Sequence, residues 1–125
     1  MAKKTKRISS RDKGHTFERF LASQFRENFP KCSTSRASSK ALDDCKIDLN
    51  NIPFNVQAKC GYETTNFNFF EMKKTSILLL KEAFTGAVLD QYINNPYVLI
   101  HKKKIGTKVE IEFKDFINLV KKAYA

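Results

Sequence analysis

Acidic residues are scarce in this chain: 13 Asp and Glu stand against 23 Lys and Arg in 125 residues, for a formal charge of +10. Such an excess raises the local potential and favours polyanionic partners, with a merely solubilising basic surface as the plain alternative. Long apolar runs are also missing. None approaches the ~20 residues needed to cross a bilayer, so no membrane partner is expected. The start, MAKKTKRISSRDKG, is basic without an apolar stretch behind it. That argues against a secretory signal and for a cytoplasmic location. Cysteine is sparse and scattered: Cys32, Cys45 and Cys60 form no CxxC pair. Neither a structural zinc site nor a disulfide framework is expected, and the thiols read as reduced and mostly buried. Internal repeats are absent too.

What is present suits one compact domain. Hydrophobic residues make up 42% of the chain, including eleven Phe, enough for a single core at this length. Residues 1–11 read as a flexible basic arm and 12–125 as the domain. From Asp12 to Phe29 an amphipathic helix is expected, since Phe17, Phe20, Leu21, Phe25 and Phe29 recur at helical steps before Pro30. Lys31 to Lys40 is polar and reads as a strand edge or loop. Cys45–Leu49 and Phe54–Lys59 read as a β-hairpin joined by Asn50-Asn51-Ile52-Pro53. Tyr62 to Phe70 fits a loop or an added strand. A second helix is expected from about Thr75 to Tyr92, weakened by Gly86; strands follow at Tyr97–Lys102 and Val109–Phe113, then a C-terminal helix from Phe113 to Tyr124. This order predicts an α/β fold with a central sheet flanked by helices.

Two patterns carry chemistry. On a helical wheel with Phe17 at zero, Leu21, Phe25 and Phe29 fall at about 40°, 80° and 120°, and Glu18 at about 100°. A carboxylate inside the apolar stripe is costly unless paired or metal-bound; a marginal position reaching water or a Lys is the plainer account. Gly14, one turn earlier, would allow backbone or ligand to approach. Strand alternation then puts Lys46 and Asp48 on one face and Ile47 and Leu49 on the other, while Gln57 and Lys59 share the face opposite Phe54, Val56 and Ala58. Antiparallel pairing would bring Asp48 beside Gln57 and Lys59. Oxygen ligands of this kind suit Mg2+. The adjacent Asp43 and Asp44 are weaker ligand candidates, being expected in solvent.

Asp48 followed by Gln57-Ala58-Lys59 resembles the PD-(D/E)XK nuclease superfamily, whose acid precedes an acid-any-lysine strand. Lys13-Gly14-His15-Thr16-Phe17-Glu18, the Ser35-Arg36-Ala37-Ser38-Ser39 segment and Lys46-Ile47-Asp48-Leu49 are most similar to the archaeal and phage-type Holliday junction resolvases. The resemblance implies a restriction-endonuclease-like core with a central mixed β-sheet. It implies a Mg2+-dependent (or Mn2+-dependent) DNA endonuclease acting in recombination and repair on four-way or branched DNA, and working as a homodimer. Glu18, Asp48, Gln57 and the Ala58 carbonyl would hold the metal, and Lys59 would orient water. Lys13, Arg36, Ser38, Ser39 and Lys40 would bind DNA phosphates. The exposed aromatics expected in Phe67–Phe70 could form the dimer interface or pack in the core. One departure stands out: Gln57 replaces the usual acid, so it offers an oxygen without charge. The alternatives are a restriction-like or repair endonuclease acting on duplex DNA, and a catalytically silent basic nucleic-acid-binding domain.

Overall fold

A computed structural model of the chain describes residues 10–61 and 67–125. Six helices and five strands follow one another as α1 (Ser10–Phe25), β1 (Ser33–Thr34), α2 (Ser35–Ser38), α3 (Lys40–Asp44), β2 (Leu49–Asn50), β3 (Asn55–Cys60), α4 (Phe69–Ala83), α5 (Gly86–Ile93), β4 (Tyr97–Lys102), β5 (Thr107–Ile111) and α6 (Phe113–Ala123) among the described residues. The fold is mixed α/β. Its main sheet has the order β3-β4-β5, with β3 and β4 parallel and β4 and β5 antiparallel; β1 and β2 form a separate antiparallel pair. No helix among the described residues is long and apolar enough to cross a membrane. The basic arm expected over 1–11 lies outside the described residues except for its last two positions, which already belong to α1.

Alternation along β3 and β4 divides the sheet into two faces. Val56, Val98 and Ile100 pack with Phe17, Leu21 and Ala22 of α1, together with Cys32 and Leu49. Leu99 and Tyr97 face the other way, against Leu80 and Phe69 of α4 and Leu42, Cys45 and Ile47. Inside this second layer the Ser76 hydroxyl bonds both the Cys45 carbonyl, at 2.7 Å, and the Tyr97 hydroxyl, at 2.6 Å. Burying a hydroxyl is tolerable when its hydrogen bonds are met. Cys32, Cys45 and Cys60 are all free thiols.

The structure corrects several expectations. The Asp12–Phe29 helix ends at Phe25, and the next residues form turns, with the Phe29 amide bonded to the Phe25 carbonyl at 2.8 Å. Phe20, expected on the core side, is 53% exposed. Cys45–Leu49 and Phe54–Lys59 do not form a hairpin ladder. The first contributes only the short β2, paired with β1, whereas β3 takes β4 as its ladder partner. The turn residues between them bend the chain through Asn51, whose φ of 62° suits Asn, without dictating which edge pairs. The Thr75–Tyr92 helix is two helices, because the chain leaves α4 at the extended Phe84 and re-enters a helix at Gly86 with φ 61°. Residues 69–74 extend α4 toward the N-terminus, capped by the Asn68 side chain on the Glu71 amide. Phe113 opens α6 rather than closing β5. Of the aromatics in Phe67–Phe70, read as either dimer interface or core, Phe69 is buried in the core, Phe67 packs partly buried against it and Phe70 is 63% exposed.

Candidate active site

Among the described residues β3 is the edge strand of the three-stranded sheet, with β4 as its neighbour on one side. Within a strand, N–H and C=O groups of alternate residues point to opposite edges. The Asn55 amide points to the β4 side, donating to the Pro96 carbonyl at 2.9 Å. Val56 and Ala58 therefore present their main-chain groups to the open edge, and Asp48 is seated there. The Asp48 amide donates to the Val56 carbonyl at 2.8 Å, and the Ala58 amide donates to Asp48 Oδ2 at 2.7 Å. A third bond, from the Ser35 amide to the Asp48 carbonyl at 2.8 Å, fixes the residue from the α2 side. Main-chain bonds thus do what the expected hairpin ladder would have done: they place Asp48 beside Gln57-Ala58-Lys59. The same parity turns the Ala58 carbonyl toward Asp48's edge.

Burial drives the Asp48 carboxyl up from its usual 3.8 to about 6, against the lowering effect of the Ala58 hydrogen bond. Glu18 and Asp43 push in the same direction through their charge, and Lys59 opposes them. These electrostatic partners place Glu18, Asp43, Asp48 and Lys59 in one neighbourhood. A strongly perturbed carboxyl with a cation and further acids around it has the character of a functional centre as well as of a buried ion cluster.

Glu18 is only 8% exposed, as its position inside the apolar stripe predicts. Its charge is met by Arg36 of α2, whose Nη2 lies 3.2 Å from Oε1 and 3.1 Å from Oε2. Arg36 was expected to grip a phosphate; here its guanidinium is engaged by the candidate ligand itself. A β-carbon at Gly14 would meet nothing within 4 Å among the described residues, so no other backbone makes the close approach that a glycine there allows. Gln57 is 7% exposed, and its Oε1 is buried without a hydrogen-bond partner among the described residues. A buried acceptor of this kind is expensive unless water or a cation meets it. Lys59 Nζ stands 5.0 Å from the centre of the Phe67 ring, a cation–π distance that orients the ammonium. Gln57 and Lys59 open on a cleft of about 250 Å3 whose far wall is the start of α4, at Asn68, Glu71 and Thr75.

Among the residues expected to bind DNA, Lys13 and Lys40 are exposed. Ser38 and Ser39 have local duties. Ser38 bonds the Thr34 carbonyl at 3.1 Å and the Ser33 hydroxyl at 2.9 Å, while Ser39 caps α3 by accepting from the Leu42 amide. The segment reads as a strand edge or a loop in the sequence; Ser33–Thr34 form the short strand β1, and residues 35–40 fold into α2 and the start of α3. Asp43 was ranked with its solvated neighbour Asp44, yet it is partly buried and its charge reaches Asp48.

Strand alternation in the sequence puts Lys46 on the Asp48 face and assigns it no role. It lines the cleft with Gln57 and Lys59, and its φ is 68°. It occupies the left-handed position after α3, where the Lys46 amide bonds the Asp43 carbonyl and the Ile47 amide bonds the Leu42 carbonyl, both at 3.1 Å. Glycine is the usual residue at that point of a helix end. A lysine there is the one signal in the sequence that could have drawn attention to it.

The oxygens that could hold a hard divalent cation are Asp48 Oδ1, Gln57 Oε1, which has no partner among the described residues, the Ala58 carbonyl and the Glu18 carboxylate beside Arg36. No group of three or more His, Cys, Asp or Glu poised for a metal occurs among the described residues; the oxygen set here rests on two acids, an amide and a main-chain carbonyl. Comparison of the chain with known protein families, curated proteins and solved structures finds no match.

Proposed function

We propose that the chain is a Mg2+-dependent endonuclease that hydrolyses phosphodiester bonds of four-way or otherwise branched DNA, working as a homodimer. The observation that carries this reading is Asp48 held at the open edge of β3 within reach of the charges of Glu18 and Lys59, together with a buried Gln57 oxygen that has no partner among the described residues. The mixed sheet with helices on both faces fits the restriction-endonuclease-like core that the motif resemblance implies. A net charge of +10 favours a polyanionic substrate.

Asp48, Gln57, Glu18 and the Ala58 carbonyl would hold the Mg2+, which when bound polarises a phosphate and acidifies water. Lys59 orients the attacking water and offsets charge growing on the phosphoryl oxygens. The water oxygen bonds to phosphorus as one P–O bond to sugar breaks; the water gives up a proton to solvent and the departing alkoxide takes one from it. Arg36 stands where a flanking phosphate could draw it from Glu18, and Lys40 and Lys13 add phosphate contacts. Such contacts position DNA without reading its sequence, which suits selection by branched shape. Two symmetric cuts across a junction require two centres, which a two-fold dimer supplies.

The test is a synthetic four-way junction incubated with and without Mg2+, beside a linear duplex. Lys59→Ala and Asp48→Asn should abolish cutting while retaining binding, and undiminished cutting by either variant would sink the site. Preference for linear duplex would select the restriction-like or repair alternative. Gln57→Glu should shift the metal requirement to lower Mg2+ concentrations. The neutral Gln57 and the Arg36–Glu18 pair favour one competing reading, a silent nucleic-acid-binding domain. Salt-sensitive binding without any Mg2+-dependent product would select it.

A further inference from the structure

On the α1 face of the sheet, a groove of about 1040 Å3 runs between the first half of α1 and the far end of the strands. Register explains its floor. Cys60, Lys102 and Thr107 form one row across β3, β4 and β5, and Cys60 packs toward the α1 core. Lys102 shares that face by alternation with Val98 and Ile100. α1 contributes Lys13 and Phe20, and the turn after β4 contributes Lys103 and Lys104. Four lysines thus line the groove, and no carboxylate is among the described side chains that do. Phe20 remains 53% exposed beside them, although Phe17 and Leu21 of the same helix are buried.

We infer that this groove binds a single-stranded segment of nucleic acid, with phosphates on Lys13 and Lys102–Lys104 and a base stacked on Phe20. Charge selects a polyanion. The concave groove, with Phe17 and Phe20 of α1 on one wall, then selects the strand form: a duplex offers a convex wall of phosphates and keeps its bases stacked inside, whereas a single strand can present base faces to an aromatic ring between basic side chains. A solvent-facing phenyl ring on the wall of a lysine-lined groove matches that chemistry better than it matches a protein partner, for which the lysines would need acidic complements. Phe17 and Cys60 also line the groove and are sequence neighbours of Glu18 and Lys59. Strand binding there does not rest on the nuclease reading.

Binding is therefore measured in EDTA, by fluorescence anisotropy with a labelled single strand of about ten nucleotides and a duplex of the same length. Without Mg2+, loss of cutting and loss of strand binding are separate results. The single strand should bind more tightly than the duplex. Lys102→Ala/Lys103→Ala/Lys104→Ala should weaken it at least tenfold and lower the slope of log affinity against log salt by about two, at roughly 0.7 per lost contact. Phe20→Ala should cost roughly tenfold, with Phe20→Tyr close to wild type. These are surface positions, so thermal melts should remain near wild type. A duplex bound as tightly as the single strand, or single-strand binding unchanged in either the lysine or the Phe20→Ala variant, overturns the inference.

Discussion

The two faces of β3 have the same length of strand and opposite occupations. Toward α1, Val56 is fully buried among Phe17, Leu21 and Ile100, with Ala58 and Cys60 packed behind it. Toward α4, Gln57 is nearly as buried but leaves an oxygen without a partner, and Lys59 stands over Phe67 at the mouth of a cleft. One face spends its burial on apolar area, which stabilises the fold by about 25 cal/mol per Å2. The other buries polar atoms whose desolvation opposes folding unless something meets them. Side by side on one strand, they show that the open edge of β3 is held in place by the α1 face. The site itself is expected to contribute little stability, or to subtract some.

The sharpest way to break this comparison is to truncate each face in turn. Ile100→Ala, beneath α1, should cost about 2–5 kcal/mol in urea denaturation. Gln57→Leu should change stability by less than about 1 kcal/mol, in either direction, because it replaces an unmet acceptor with apolar volume. If the Gln57 substitution proves as costly as the Ile100 one, the polar face is structural and the distinction fails.

Asp48 gives the second test, through pH. Its carboxyl is raised from 3.8 in its ordinary state to about 6 in the folded chain, chiefly by burial. Below pH 4 both folded and unfolded states are protonated and the residue costs nothing. Between pH 4 and 6 the folded state retains a proton that the unfolded chain has released, so stability falls as pH rises. Above pH 6 the penalty is complete, on the order of 3 kcal/mol at most. Asp48→Asn removes it. In metal-free protein at pH 7.5 the variant should be roughly 1–3 kcal/mol more stable than wild type, with the gain vanishing near pH 4. A less stable variant, or a gain independent of pH, would show that the carboxylate is not desolvated as described.

How much of this was legible beforehand depended on what kind of interaction set each feature. β4 reads directly from Tyr97–Lys102, because a strand covered on both faces is an unbroken apolar run ended by charge. Glu18 is legible because a wheel assigns a helix face from spacing alone. Asp48 and Lys59 come together for a different reason than the sequence suggests. The turn between them predicts a hairpin, while the actual tie is a carboxylate accepting a strand-edge amide, and no local pattern encodes which edge a distant β4 will take. The Arg36–Glu18 pair likewise joins residues 18 positions apart, and nothing in the Ser-rich stretch reveals that its arginine turns inward. α6 shows the opposite limit. Its amphipathic spacing predicts the helix correctly, yet Phe113 and Phe116 remain 75% and 49% exposed, since periodicity says which face is apolar and not what covers it.

The smallest effect probes the border between the two regions, at Lys46. A left-handed φ of 68° costs a β-carbon-bearing residue roughly 1 kcal/mol relative to glycine. The helix-end bonds from the Lys46 and Ile47 amides hold that conformation regardless of the side chain. Lys46→Gly should therefore leave the backbone in place and raise stability by about 0.5–1 kcal/mol, read as a shift in the urea midpoint at constant slope. If the lysine serves only the fold, nothing else should change. If the cleft beside Gln57 and Lys59 receives a phosphate, the same variant should bind junction DNA several-fold more weakly in EDTA and with a salt slope reduced by about one. A variant that gains stability and keeps wild-type DNA affinity would move Lys46 from the site to the scaffold, and the cleft would then hold Lys59 as the sole cation among its described lining side chains.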